Sequence, residues 1–503
     1  MKKYLQIHPQ DNVAVAIESL QPGEAIAAGA KTITVKESIP AGHKVAIAPI
    51  SRGSDVVKYG FPIGAAKVNI EPGEWVHTER LQSKLAGLVD YRYEPNKNSA
   101  WQPDGFAPKE KSFWGYERPD GQVGIRNEVW IIPTVGCVNA IAREIESRAQ
   151  AMLTGKEHID GIFAFNHPYG CSQIDEDLEK TQQFLASLVH HPNAGAVLVL
   201  SLGCENNTLA SMQKAIGSFA AGRVKFLVCQ DCEDEIEAGV AAIRELIDYA
   251  DKCQRTLQPA SKLVIGLKCG GSDGFSGITA NALAGQVSNI VAAAGGTAIL
   301  TEVPEMFGAE TLLMNRAVNG KIFQKIVQLI NGFKEYYMRY GKQINENPSP
   351  GNKAGGITTL EEKSLGCVQK GGVALVTDVL AYGQRVKNKT QGLLLLESPG
   401  NDLVAANALA AAGAQLILFT TGRGTPFAAP VPTVKIASNS KLATRKKNWL
   451  DFNAGMLLEG ASLEELGERF WNYMLAVASG QEKTVSEHLD KHELAIFKDG
   501  VCL

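Results

Sequence analysis

Five cysteines recur in one kind of setting, beside glycine or just past an apolar run: Cys137 in PTVGCVN, Cys171 in HPYGCSQ, Cys204 in LGCENN, Cys269 in LKCGGSD and Cys367 in SLGCVQK. Two readings stand for them. A free thiol often packs as a small hydrophobe, whereas several thiols gathered in glycine loops suit a metal-linked or redox role. Cys229 and Cys232 form a C-x-x-C with no second pair at matching spacing, so they are read as incidental and not as a zinc knuckle. Of the 9 histidines, His43 and His77 fall in the amino-terminal region and His167 lies four residues before Cys171. Neutral imidazole is a common ligand for iron, manganese or zinc and the usual general base near neutrality; the plain alternative is a hydrogen-bonded loop histidine.

Polar groups cluster around glycine in GGSDGFSGITAN (270–281), SPGNKAGGITTLEEKS (349–364), ESPGND (397–402) and TTGRGTPF (420–427). Glycine lets backbone approach a ligand closely, and the neighbouring hydroxyl, amide, Lys and Arg groups suit a polyhydroxy acid. Arg423 suits a carboxylate, and Lys353 or Lys363 suits an acid, a base or a charge anchor. Glu302 and Glu305, after the run TAILTEV, suit a hard cation or are ordinary loop carboxylates. Neither a Walker pattern nor a G-x-G-x-x-G entering a helix is present, which argues against an ATP or NAD site.

The elements that must position these groups fall into two styles. Residues 1–95 read as short strands separated by Gly and Pro turns, with an echo between LQPGEAI (20–26), IPAGHKVAI (39–47) and IEPGEWV (70–76). A polar stretch from Tyr91 to Trp114 has the composition of a linker. From about residue 118, apolar runs such as EVWIIPTV, AVLVLSL, KLVIGLK and AQLILFTT alternate with helical stretches, the pattern of parallel strands covered on both faces. Ligands bind such sheets at the carboxyl ends of the strands. The long Gly-rich stretch at 355–372 divides this part again, giving 1–95, 112–365 and 366–503. Ser462 and Glu465 mark the start of the last long helix.

The bulk numbers exclude several classes. A length of 503 residues predicts two or three domains. Hydrophobic residues at 45%, charged residues at 20% and a net charge of −3 describe an ordinary globular chain with no nucleic-acid or membrane partner. The amino terminus lacks the apolar core of a signal peptide, and no apolar run reaches the ~20 residues of a membrane span. A cytoplasmic protein is expected, and with it free thiols. A homodimer is the base-rate expectation.

The stretches DGQVGIRNEVWIIPTVGCVN, HPNAGAVLVLSLGCENN, GLKCGGSDGFSGITAN, LTEVPEMFGAE, NENPSPGNKAGGITTLEEKSLGC and TGRGTPF closely resemble the altronate/galactarate dehydratase family, and the likeness runs nearly the whole chain. The amino-terminal β module similarly resembles the SAF-type (β-clip) domain of that family. The resemblance implies conversion of D-altronate to 2-dehydro-3-deoxy-D-gluconate in hexuronate catabolism, with Fe(II) or Mn(II). In relatives the SAF domain ends His-x-His-Asn; here Glu79 replaces the second histidine. By residue type and loop position, His43, His77, Cys171 and Cys204 are assigned to the metal and His167 or Lys353 to the base. Ser272, Asp273, Asn352, Lys363, Arg423, Lys435 and Asn439 are assigned to substrate oxygens. Galactarate and sulfolactate are the alternative substrates, a non-catalytic sugar-acid-binding protein is the alternative class, and an iron–sulfur cluster on the strand-end thiols is the alternative cofactor.

Overall fold

The Pro–Gly echoes become turns. In the computed structural model, which describes residues 3–28, 31–95, 101–388 and 390–501, Gly23, Gly42 and Gly73 each hold φ between +84° and +87°. Each precedes an i to i+3 backbone hydrogen bond of 3.1 Å, as a type II turn requires. These turns feed an antiparallel sheet of Tyr4–Leu5, Val13–Ala16, Lys44–Ala46 and Trp75–Val76, accompanied by a second antiparallel sheet of Asp55–Lys58, Phe61–Ala66 and Leu81–Gln82. The amino-terminal region is therefore all-β. Its apolar face, with Val13, Ala46, Val56 and Ile63, joins one continuous core with Leu360 and Leu365 far along the chain. Residues 96–100, inside the expected linker, lie outside the described residues.

Every strand-like run of the later sequence forms a strand, and the strands fall into two parallel sheets. The first contains β1 (Glu128–Pro133), β2 (Gly161–Ala164), β3 (Ala194–Ser201) and β4 (Val224–Val228) in the order β2-β1-β3-β4. All eight residues of β3 are buried, because α1 (Asn139–Ala149) and α3 (Glu235–Ala250) cover one face and α2 (Asp175–Val189) the other. The second sheet contains β5 (Val264–Cys269), β6 (Thr297–Leu300), β7 (Val376–Leu380), β8 (Gly392–Leu396), β9 (Leu416–Thr421), β10 (Thr433–Ala437) and β11 (Phe452–Asn453). Its order is β7-β8-β6-β5-β9-β10-β11. β5 is flanked by β6, next in the chain, and by β9, which returns from the far side, so a crevice opens at its carboxyl end. Helices α4 (Ala280–Ala293), α5 (Gly320–Arg339), α6 (Leu360–Cys367), α7 (Asp402–Ala411) and α8 (Leu463–Ala478) flank this sheet. Ser462 caps α8 by accepting from the Glu465 N–H at 3.2 Å.

The division expected at residues 365–366 is corrected. β5 and β6 precede it and β7 to β11 follow it, yet all seven share one hydrogen-bonded sheet. The Gly-rich stretch at 355–372 is α6 followed by a short 3-10 helix at Val368–Gly371, and every residue of α6 is buried. The change of domain comes earlier, where Arg255–Pro259 pairs antiparallel with Ser112–Glu117 and ties the entry and exit of the smaller sheet together. No helix among the described residues is long and apolar enough to cross a membrane.

Candidate active site

β5 ends in Lys268 and Cys269, and a lysine inside an otherwise apolar buried strand needs a partner. Lys268 Nζ contacts Glu302 directly and lies 2.8 Å from Asp402 Oδ1. Burial disfavours the Lys268 ammonium, but Glu302 and Asp402 more than offset it and its pKa is raised. Glu302 adopts φ +69°, a strained conformation for a residue with a Cβ, and its Oε2 accepts the Cys269 N–H at 3.1 Å. One turn on, Glu305 Oε2 lies 3.1 Å from Cys269 Sγ and 3.2 Å from Cys367 Sγ, and the two sulfurs are 3.4 Å apart. Lys370 Nζ donates to Cys269 Sγ at 2.7 Å, and Lys363 Nζ pairs with Glu305 Oε1 at 2.7 Å.

These contacts set the protonation states. The hydrogen bond from Cys367 brings the Cys269 thiol down to about 6 against burial, with Lys370 and Lys268 assisting. Burial alone raises the Glu305 carboxyl, but Lys363, Lys370 and Lys268 outweigh it and hold it well below the usual carboxylate range. The bond that Cys367 gives to Cys269, and then burial, keep the Cys367 thiol protonated. Cys269, Glu305 and Cys367 offer ligand atoms all within 4.8 Å of one another, the group among the described residues close enough to hold one metal ion. Two of its three donors are already deprotonated, which is what a cation requires of its ligands.

The β module covers this cluster. Gly42 fits against Gly274 and Gly356, where an added Cβ would meet the Gly42 carbonyl oxygen at 1.9 Å and 2.2 Å. That approach brings Lys44 and Lys58 onto Glu362 of α6, at 2.9 Å and 2.8 Å, with all three side chains at most 2% exposed. Burial lowers Lys44 to about 8 despite this pairing. A narrow cleft of about 10 Å³, lined by Lys58, Tyr59, Asp273, Glu362, Lys363 and Cys367, lies between module and sheet. Asp273 Oδ1 accepts from Ser276 Oγ (2.8 Å) and Ser438 Oγ (2.9 Å), and Oδ2 from Asn439 Nδ2 (3.1 Å); burial raises its pKa. Beside it, Arg423, Asn439, Lys441 and Arg445 line a basic cavity of about 310 Å³. Another cleft of similar volume, lined by Asp120, His190, Arg385 and Gln415, opens at the amino ends of the strands, the end parallel sheets do not use for ligands.

The residues singled out from sequence divide into those this region gathers and those it does not. Ser272, Asp273, Asn352, Lys363, Arg423 and Asn439 converge here: Asn352 Nδ2 donates to the Ser272 carbonyl at 2.9 Å, and Arg423 reaches the Gly351 carbonyl at 3.5 Å. Lys353 flanks the same loop, half-buried. Lys435 is buried, pushed down to about 8 by its burial, and its Nζ donates to the Thr425 carbonyl at 3.2 Å.

The structure does not bring the expected metal set of His43, His77, Cys171 and Cys204 together in one place. His43 and His77 lie with ring centroids 5.1 Å apart. Their Nε2 atoms, however, face the carbonyls of Ala354 (3.3 Å) and Lys353 (3.0 Å), while their Nδ1 atoms face Trp75 Nε1 (3.2 Å) and Thr78 Oγ1 (3.1 Å). The two Nε2 atoms thus dock the module and the two Nδ1 atoms are engaged within it, and Cys171 and Cys204 lie exposed on the smaller sheet's domain. His167 is corrected as the base: it is 2% exposed, its Nε2 bonds the Pro133 carbonyl at 2.8 Å, and its Nδ1 accepts the Tyr169 N–H at 3.2 Å. No lone pair is left for a substrate proton. Lys268, Lys370, Lys44, Lys58 and Glu362 were not singled out. The signal available for them was a charge inside an apolar strand, as in VIGLKC.

Three family models cover the chain: the Altronate/galactarate dehydratase SAF domain at residues 2–84, the D-galactarate dehydratase/Altronate hydrolase second domain at 115–251, and the D-galactarate/Altronate dehydratase C-terminal domain at 260–502. An altronate dehydratase of Bacillus subtilis is 51% identical, with 100% of each chain covered. This chain belongs to the altronate/galactarate dehydratase family. Other relatives are an altronate dehydratase of Escherichia coli, 49% identical over 100% of each chain, and a galactarate dehydratase (L-threo-forming) of Escherichia coli, 32% identical over 98% of this chain and 96% of that one. The family models break at 251–260, where the antiparallel Arg255–Pro259 strand closes the smaller domain. As a member of this dehydratase family the chain is an enzyme, a hydro-lyase, and its buried Cys269–Glu305–Cys367 group fits a metal ion.

Proposed function

We propose that the chain removes water from altronate, giving 2-dehydro-3-deoxy-gluconate, in the cleft between the β module and the seven-stranded sheet. The observation that carries this reading is the full-length likeness, about half of all positions, to two altronate dehydratases. The cleft supplies groups of the right chemistry. Arg423 and Asn439, with Lys441 and Arg445 behind them, receive the substrate carboxylate. Asp273 stands beside them as a buried carboxylate whose pKa is raised, and it takes the proton from the carbon next to that carboxylate. Lys353, next to Asn352 in the chain, is the second group assigned to move that proton. Lys363, kept charged by Glu305 despite burial, donates to the hydroxyl that departs from the next carbon. The enol left behind takes a proton at that carbon and becomes the 2-keto acid. Cys269, Glu305 and Cys367 would hold the metal, Fe(II) in preference to Mn(II) because two of three donors are sulfur, and a bound cation supplies electrostatic stabilisation of the negative charge that develops on the substrate. The chain's own part is to orient the acid, exclude water by seating the β module, and hold the proton acceptor against C2.

The test is a substrate profile. Altronate, galactarate and sulfolactate are offered separately to anaerobically purified enzyme with Fe(II), and 2-keto-3-deoxy acid or sulfite is assayed. Preference for altronate supports the assignment; turnover of galactarate or sulfolactate alone overturns it.

A further inference from the structure

Of the six described thiols that the dehydration site does not use, three are exposed: Cys137, Cys171 and Cys204. This runs against the habit of free cysteine, which is among the most buried residue types. We propose that Cys137, Cys171 and Cys204 together hold an iron–sulfur cluster on the carboxyl rim of the four-stranded sheet.

The topology puts them side by side. Cys171, Cys137 and Cys204 lie in the loops after β2, β1 and β3, which are consecutive neighbours in the sheet, and neighbouring strands stand about 4.8 Å apart. The loops are also sewn to one another. The Gly136 N–H donates to the Tyr169 carbonyl (2.8 Å), and the Asn207 N–H to the Gly170 carbonyl (2.9 Å). Asn207 Nδ2 donates to the Thr134 carbonyl (2.9 Å), Asn139 Nδ2 to the His167 carbonyl (2.9 Å), and the Ser172 N–H to Asn206 Oδ1 (2.8 Å). A Cβ on Gly170 would meet the Thr134 carbonyl oxygen at 2.1 Å, and one on Gly136 the His167 carbonyl oxygen at 2.7 Å, so the residue before each of two of the thiols has to be glycine. Buried Glu205 fixes the third loop by accepting from Thr134 Oγ1 (2.6 Å) and the Gly203 N–H (2.7 Å). His167, with both nitrogens engaged, is part of the same framework. A rim built this rigidly holds thiols in fixed positions, as a preformed ligand set requires.

The spacing selects a cluster over a single ion. Sulfurs bound to one tetrahedral cation at about 2.3 Å stand under about 4 Å apart, and the close-set donor group among the described residues is Cys269, Glu305 and Cys367, not these three. A cluster, with sulfide between its irons, accepts thiolates set further apart and is a soft-sulfur site by nature. Assembly is balanced without electron transfer: equal amounts of ferrous and ferric iron combine with sulfide and three thiolates, and each thiol releases its proton. Three protein ligands leave one iron of a four-iron cluster open. Cys229 and Cys232, after β4, are buried and half-buried and do not belong to the set.

The full chain is reconstituted anaerobically with ferrous and ferric iron plus sulfide, desalted, and its iron, acid-labile sulfide and visible absorption are measured. The expected result is a brown protein with roughly four acid-labile sulfides per chain, a loss of at least about tenfold in acid-labile sulfide and visible absorption in the C137S/C171S/C204S variant, and full retention of both in Cys269→Ala. Circular dichroism checks that the triple variant folds. Independently of any variant, alkylation should label these three thiols in the metal-free chain and spare them after reconstitution. A colourless product, iron without acid-labile sulfide, or equal labelling in both states overturns the proposal. None of these readouts depends on turnover, so the altronate reading stands or falls separately.

Discussion

Glu362→Gln is the most demanding perturbation of the module's seat. The carboxylate stands between two lysines that are almost completely buried, Lys44 at 2.9 Å and Lys58 at 2.8 Å, and also accepts the Thr358 N–H and hydroxyl at 2.9 Å and 2.7 Å. Neutralising it leaves two ammonium groups facing each other away from water. Removing one partner of a buried pair costs about 3–5 kcal/mol, and with two cations exposed to the loss the upper end is expected. The charge has one outlet. Lys44 already sits at about 8 through burial, and without Glu362 it falls further, so it sheds its proton near neutrality. A lysine whose folded pKa lies below its unfolded one binds fewer protons in the native state, so stability rises with pH between the two values. The variant should therefore gain stability from pH 6 to pH 9 more steeply than the parent. Urea titrations at both pH values, with limited proteolysis to detect release of the β module before global unfolding, provide the assay. A deficit under about 1 kcal/mol at pH 7, or one that does not change with pH, refutes the reasoning.

Three further outcomes follow from the geometry. Glu128 is buried at the start of β1 and its pKa is pushed up to about 8 by burial, with Trp130 Nε1 donating at 2.6 Å. Its folded pKa lies above the unfolded one, so the stability it contributes is complete below about pH 4.5 and is lost as pH rises through about 8. Glu128→Gln should match the parent at pH 5 and melt higher at pH 9; equal differences at both pH values would contradict this. Arg423→Ala removes a charge-assisted contact of about 1.5–3 kcal/mol, so KM for the sugar acid should rise about 10- to 100-fold, and an unchanged KM places the carboxylate elsewhere. Cys367→Ala should lower the affinity for added Fe(II) by at least about tenfold, measured by equilibrium dialysis, and unchanged binding removes Cys367 from the ligand set.

Much of the architecture was legible because its signals are local. Continuous apolar runs such as AVLVLSL cannot be solvated on either face, and they became fully buried parallel strands; Pro–Gly pairs dictated the module's turns. The site was legible in part. Asp273, Asn352 and Arg423 stood out as polar residues near glycine and Asn439 as a polar residue just past a strand, and the structure gathers them at the carboxyl end of the seven-stranded sheet. The ion cluster was legible only in its separate members Glu302, Glu305 and Lys363, because their pairing with Lys268 and Lys370 is tertiary and no spacing in the chain records it. His167 misled for the same reason: a loop histidine looks alike whether its nitrogens face a substrate or two backbone groups. The boundary expected near residue 366 failed because glycine-rich sequence is as consistent with close helix packing, here Gly366 of α6 against Gly277, as with a linker.

The central claim is that Asp273 removes the α-hydrogen of altronate inside the module-covered cleft. Proton NMR of altronate turned over in D₂O by the Fe(II)-loaded enzyme reads it directly. The account predicts a 2-keto-3-deoxy acid carrying one solvent deuterium at C3, and none of this product with an Asp273→Asn variant that still binds iron. Product formation by Asp273→Asn at the parent's rate, or no dehydration of altronate by the parent, would contradict it.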